Sequence, residues 1–223
     1  MKVALSWSGG KDACYTLHKL HEQGIEVVCL LTTIPKELNA TFGHGEKREA
    51  IEAQGQALGI PVEWISCTFP TYTDDFIAKV KEVRNTYQIT AIAYGDLYLD
   101  EHREWGEQVA KAAEIEALYP LWMKESDAST ALQQFISSGY RAKMIRSMQE
   151  HFSKDDLGRE INESFYQDLQ NQSICPMGEK GEYHTFVYDG PLFQKKVIFT
   201  EGAVEELETT WRLHLEDISL MEK

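Results

Sequence analysis

The first half of the chain switches repeatedly between two hydrophobic periods. Residues 3–7 (Val-Ala-Leu-Ser-Trp) are a short apolar run, and residues 12–23 follow with Cys14, Leu17, His18 and Leu20 near one face. That spacing predicts a strand and then a helix, with Gly24 as the stop. Residues 25–32 (Ile-Glu-Val-Val-Cys-Leu-Leu-Thr) are nearly continuous apolar sequence, as in a buried parallel strand. The alternation continues with a helix over 46–58, closed by Gly59-Ile60-Pro61, and a strand over 62–66. A helix over 74–87 follows, with Thr73 as its N-cap. A strand over 90–94 ends in Gly95-Asp96, and a helix over 101–113 leads to a last short strand within 116–122. Strand and helix alternating four times predict an α/β fold with a mostly parallel, three-layer sheet and right-handed crossovers. Ligands in such sheets bind beyond the carboxyl ends of the strands, where the strand order reverses. Ser8–Lys11, Thr32-Thr33 and Gly95-Asp96 fall at those ends.

The second half has a different rhythm. It predicts a helix over 126–138, a strand over 139–145 and a helix over 160–169. Two strands over 182–188 and 196–200 are joined by Asp189-Gly190-Pro191, and the alternation of Leu207, Thr209, Trp211, Leu213 and Leu215 predicts a final strand. This is a smaller α+β unit, which divides the chain into 1–123 and 124–223. No internal repeat is present.

Composition narrows the class. The chain has 223 residues, of which 43% are hydrophobic and 26% charged, enough for a substantial core. No apolar run reaches the ~20 residues of a membrane span. The run at residue 2 reads as a first strand rather than a targeting segment, so the cytoplasm is the expected compartment. A formal charge of −14 argues against broad nucleic-acid binding, which needs a basic surface. An anionic substrate must then be captured by local devices. Cys14, Cys29, Cys67 and Cys175 form no Cys-x-x-Cys pair, so metal-knuckle spacing is missing.

Two clusters carry chemistry. The first is Ser8-Gly9-Gly10-Lys11-Asp12 between the first strand and helix. Paired glycines let the backbone bend and approach a ligand, and the helix start offers amide N–H groups and a positive dipole end to an anion. Lys11 adds a mobile cation. The spacing is not that of a Walker A loop. A plain Gly-Gly turn would look similar. The second is Gly178-Glu-Lys-Gly-Glu-Tyr-His-Thr185, which packs Glu179, Glu182, His184 and Thr185 beside two glycines. On a strand, Glu182 and His184 would point the same way. Such a group can orient an amine, take up a proton or hold a metal; a solvated hairpin is the plain alternative.

The Ser-Gly-Gly-Lys-Asp string resembles the pyrophosphate loop of the ATP pyrophosphatases. Together with Gly95-Asp96, Pro120-Leu121-Trp122, the 178–185 cluster and Asp189-Gly190-Pro191-Leu192-Phe193, in that order, the chain resembles the diphthine–ammonia ligase family, in a bacterial-type branch. The resemblance runs from residue 1 to about 200. It implies an N-terminal HUP-type (Rossmann-like) domain and a family-specific C-terminal domain closing over a pocket between them. It also implies ATP and Mg2+, adenylation of a carboxylate with release of pyrophosphate, and displacement of AMP by ammonia or an amine. The carboxylate belongs to a small molecule or is borne on a protein; a homodimer is the assembly considered. Two departures stand out: Ala13 replaces the usual serine, and Lys180 and His184 replace a glycine and a glutamate. They leave the acceptor open.

On that basis Ser8, Gly9, Gly10, Lys11, Asp12, Thr32, His44 and Gly95 are the expected nucleotide contacts. Lys11, Glu182 and His184 are the candidate catalytic groups, with His184 as the base. Glu179, Glu182, Thr185 and Arg103 are expected at the substrate, and Asp12 and Asp96 at the metal. Asp12 as a helix-start acid and Arg103 in a surface ion pair remain open alternatives. A tRNA-modifying enzyme and a nucleotide sensor without turnover are the competing functions.

Overall fold

A computed structural model of the protein describes residues 1–36, 41 and 45–223. Five parallel strands, β1 (Lys2–Ser6), β2 (Glu26–Pro35), β3 (Val62–Cys67), β4 (Ala91–Ala93) and β5 (Glu116–Leu118), form one sheet in the order β3-β2-β1-β4-β5. Helices α1 (Lys11–Glu22), α2 (Arg48–Leu58), α3 (Tyr72–Tyr87) and α4 (Asp100–Ala112) cross between them. Helices α1 and α2 bury Leu17, Leu20, Ile51 and Leu58 in one core, whereas α3 and α4 bury Phe76, Val80, Val83 and Val109 in another. The sheet is thus covered on both faces, as the continuous apolar runs required. The chain leaves β1 towards β2 and returns on its other side as β4. The strand order therefore reverses between β1 and β4, which opens a crevice at their carboxyl ends.

The remaining elements are α5 (Ala128–Ser137), β6 (Arg141–Met148), α6 (Glu163–Leu169), β7 (Tyr183–Asp189), β8 (Lys195–Glu206) and β9 (Thr210–Glu222). The four strands make an antiparallel sheet in the order β7-β6-β9-β8. Their core is continuous with that of α1 and α2, with Phe135, Tyr140 and Phe165 in the same cluster as Val3 and Leu5.

Several local expectations shift. The strands that Asp189-Gly190-Pro191 joins do not pair, since β7 and β8 lie at opposite ends of that strand order. A hairpin forms between β8 and β9, closed where Glu206 faces Trp211. Strand β2 runs on to Pro35 because Thr33–Pro35 pair with Ile65–Cys67. Helix α2 starts at Arg48; Glu46 instead accepts the Thr41 N–H at its carbonyl (2.8 Å) and donates its own N–H to Thr41 Oγ1 (3.1 Å). Thr71 rather than Thr73 precedes α3, and its hydroxyl donates to Asp75. Among the described residues no helix is long and apolar enough to cross a membrane.

Candidate active site

The glycine loop between β1 and α1 is held from three sides. Gly9 adopts φ +83°, and a Cβ there would lie 2.8 Å from both Gln54 Oε1 and Ile51 Cδ1, so only glycine fits. Its carbonyl accepts from the Val187 N–H of β7 (3.0 Å) and from Gln54 Nε2 (2.9 Å). Gln54, fully buried, also donates to the Val187 carbonyl (2.7 Å) and accepts from Trp7 Nε1 (2.9 Å). The amides at the start of α1 lack intrahelical acceptors. Two are used locally: Gly10 donates to Ser8 Oγ (3.3 Å) and Lys11 to Thr185 Oγ1 (2.9 Å). The next two belong to Asp12 and Ala13, which line a cavity of about 470 Å3.

That cavity lies at the β1–β4 crevice. Ser6, Ser8, Asp12 and Ala13 form one wall, Gly95, Asp96, Leu99 and His102 another, and Gly178–Gly181 with His184 a third. Gly95 packs backbone to backbone on α1: a Cβ there would sit 3.1 Å from both the Ala13 nitrogen and the Asp12 carbonyl carbon. A neighbouring cavity of about 290 Å3 shares Ser6 and Ser8 and is bounded by Trp7, Leu31, Thr32, Thr33, Thr41 and Tyr72. Together they suit a phosphate tail and a flat base.

Three groups converge on the larger cavity. Ligand atoms of Asp96, His102 and Glu179 all lie within 4.8 Å of one another. His102 Nδ1 is 3.0 Å from Asp96 Oδ1, and that carboxylate raises the imidazole above its ordinary pKa. Glu179 Oε1 accepts from the Leu97 N–H (2.9 Å). Burial pushes its carboxyl up to about 7, with Asp12 and Asp96 adding to the effect. Asp12 is also raised by burial, which outweighs its bond to Lys11, and its Oδ1 is buried with no hydrogen-bond partner. Such crowded, desolvated carboxylates favour either a proton or a cation.

The expected residues do not all meet here. Ser8, Asp12, Gly95, Asp96, Glu179 and His184 do. Lys11 is not a mobile cation. It is 2% exposed, its ammonium donates to the Met177 carbonyl, lies 3.0 Å from Asp12 Oδ2 and sits 4.7 Å from the Tyr183 ring centre. Glu182 precedes β7 and does not share a direction with His184. Its carboxylate accepts from the Cys175 and Lys180 N–H groups (3.0 Å each) and borders a different cavity of about 530 Å3 with Met148, His151 and Cys175. Thr185 is buried against Lys11, and Thr32 donates to the Trp7 carbonyl beside the smaller cavity. Arg103 is 43% exposed, pairs with Glu107 and lies over Trp122, away from the cavity. His44 lies outside the described residues.

His102 and Gln54 are functional neighbours that sequence reasoning passed over. Gln54 carried a signal, being polar amid Ala50, Ile51, Ala53 and Ala57 on an otherwise apolar face. His102 carried less, since its neighbour Arg103 had the same claim and one helical residue turns the side chain by about 100°.

Comparison with known proteins finds relatives along both halves of the chain. Residues 1–117 match the family model of the diphthamide synthase N-terminal domain, and residues 127–221 that of the diphthamide synthase C-terminal domain. The diphthine–ammonia ligases of Bos taurus and Homo sapiens are each 28% identical over 232 residues, covering 92% of this chain and 85% of the relative. That of Schizosaccharomyces pombe is 28% identical over 227 residues, covering 92% of this chain but 37% of the longer yeast protein. With the glycine loop, the reversed strand order and the 178–185 wall each falling within those matches, the chain belongs to the diphthamide synthase family.

Proposed function

We propose that the protein is an ATP-dependent ligase that joins a carboxylic acid to ammonia or an amine through an acyl-adenylate. One observation carries this: the start of α1, a cluster of carboxylates and His184 line a single cavity at the strand-order reversal. The curated relatives, named diphthine–ammonia ligases, support the same reaction type. Residues 1–123 form the nucleotide-binding unit in this scheme and 124–223 the acceptor side, with the cytoplasm as compartment.

The chemistry follows from the walls. ATP places its base by Thr32 and Tyr72 and its phosphates towards Ser8, Asp12 and Ala13. A carboxylate oxygen of the acid attacks the α-phosphorus, the bond to the bridging oxygen breaks, and pyrophosphate departs into the amides of α1. Ammonia then attacks the acyl carbon, AMP leaves, and the proton lost by nitrogen passes to His184. Lys11 acts indirectly, by fixing Asp12 and the 177–183 segment against the loop.

Asp96 and Glu179, whose ligand atoms lie within 4.8 Å of each other and of His102, fit a magnesium ion, and the buried Asp12 Oδ1, which has no hydrogen-bond partner, lines the same cavity. Carboxylate oxygens are hard donors, and His102 orients Asp96. Bound there, the ion would supply charge neutralisation for the phosphate tail.

The test is AMP and pyrophosphate formation from ATP across a panel of carboxylic acids with ammonium. Acid-dependent release of both products is expected. Release of ADP and phosphate instead, or turnover indifferent to any acid, would refute the ligase assignment.

A further inference from the structure

The cavities of this molecule are linked by the residues they share. The two assigned to the nucleotide share Ser6 and Ser8. The larger of them shares Lys180 with a third cavity, of about 530 Å3. The turn before β7 is a wall to both: Gly178, Glu179 and Gly181 line the nucleotide side, and Glu182 lines the third cavity.

The third cavity has the size of a small-molecule site. Met148 at the end of β6, with Ile174 and Pro176 after α6, gives it apolar walls; His151 and Ser173 add polar ones. Glu182 is 5% exposed, and its carboxylate accepts the Cys175 and Lys180 N–H groups without a salt bridge among the described residues. A second negative charge brought beside it would be repelled.

Lys180 stands at the border. Its backbone is pinned to Glu182 Oε2 (3.0 Å), between Gly178 and Gly181 at φ +66° and +87°. Its ammonium lies 2.7 Å from Glu125 Oε1, and Glu125 lines the third cavity too. A carboxylate therefore already meets this ammonium at the cavity's edge. Both side chains are more than half exposed, and an exposed pair holds weakly, so another carboxylate can take the place of Glu125. Lys180 is also the only lysine or arginine among the described residues lining the larger nucleotide cavity. Adenylation brings a carboxylate up to a phosphate, and a cation between the two anions offsets their repulsion.

We propose that the third cavity binds the acceptor acid and that Lys180 receives its carboxylate in place of Glu125, at the border with the nucleotide. The apolar walls and the buried charge of Glu182 fit a monocarboxylic acid with an aliphatic body. The assignment rests on the ligase reading above and names the class of acid and the side chain that receives it.

The experiment uses the full chain with 13C-methyl methionine, the Met148 resonance being assigned with Met148→Leu. Hexanoate, adipate and hexylamine are titrated at fixed pH, and the affinity of the non-cleavable analogue α,β-methylene ATP is measured by calorimetry. A saturable Met148 shift with hexanoate is expected, weakened about tenfold in Lys180→Gln and within about threefold of the unmodified chain in Lys180→Arg. Glu125→Gln, which removes the competing carboxylate, should bind hexanoate at least as tightly as the unmodified chain. Adipate should bind about tenfold more weakly than hexanoate. Analogue affinity in Lys180→Gln should stay within about twofold. The proposal is overturned by a Met148 resonance that ignores hexanoate, responds equally to hexylamine, or keeps its hexanoate affinity in Lys180→Gln. Weaker hexanoate binding in Glu125→Gln, or adipate binding as tightly as hexanoate, also overturns it. So does a larger loss of analogue affinity in Lys180→Gln, which would put the ammonium on the phosphates. Failure of the ligase reading looks different: no heat with the analogue, while the hexanoate shift survives.

Discussion

Lys11 shows how far a residue's chemistry depends on where its charged end lies. The sequence placed an ammonium next to two glycines, where a phosphate counter-charge is natural. In the fold that ammonium is buried between Asp12, the Met177 carbonyl and the Tyr183 ring. Lys11→Ala is therefore expected to lower stability by about 2–3 kcal/mol as well as activity, read by urea unfolding. Unchanged stability would mean that the burial carries no energetic weight. Gly95 is the complementary case, a residue whose lack of a side chain matters. Gly95→Ala pushes a methyl against the Ala13 nitrogen at 3.1 Å, and should weaken ATP binding about tenfold by calorimetry with only ~1 kcal/mol lost in stability. The glycines themselves were legible as sequence. What each of them touches was not, because those contacts come from α1 and α2.

Elements explain why the loop is rigid. The edge of β7 supplies the Val187 N–H to the Gly9 carbonyl, and Gln54 of α2 bridges loop, strand and the Trp7 indole. Gln54→Leu keeps the volume but removes three hydrogen bonds, leaving the Trp7 N–H and the Val187 carbonyl buried. The expected cost is about 2–4 kcal/mol in chemical denaturation, with weaker ATP binding in calorimetry. A variant as stable as the parent would show that water replaces the amide. The helices and parallel strands were readable from period, since each buries a face set by local spacing. The partners of the strands on either side of the 189–191 link were not readable, because pairing in an antiparallel sheet is decided by distant strands: β6 takes β9, and β7 is left at the edge. The same non-local pairing lines His184 up with Arg146, a relation no window of sequence contains.

At the scale of the molecule, the buried acids make stability depend on pH. Glu179, pushed up to about 7, and Glu46, pushed up to about 8 chiefly by burial, hold their protons more tightly folded than unfolded. Their contribution is complete below the unfolded carboxyl range and is lost as pH rises through those values. His102 acts in the same sense, its raised imidazole losing its contribution as pH rises through the folded pKa. Glu63 and Glu205, lowered by their partners, act oppositely but in the acid range below about 4.5. The melting temperature should therefore fall between about pH 5.5 and 8.5. Added Mg2+ should restore part of it at the alkaline end, and Glu179→Gln should remove that restoration. A melting curve insensitive to Mg2+ in the unmodified chain would argue against a metal among these carboxylates.

The sequence by itself determined the parallel three-layer sheet, the glycine loop at its first crossover and the second cluster at 178–185. Hydrophobic period and short motifs are local, and the backbone follows them. Only the tertiary structure decided that Asp12, Asp96 and Glu179 line one cavity with His102, that Glu182 serves its own turn, and that Lys11 is a buried tie. Those outcomes depend on which strand ends meet across the crevice. Desolvation and charge proximity, which set the chemistry there, exist only once the two sheets have closed on a common core.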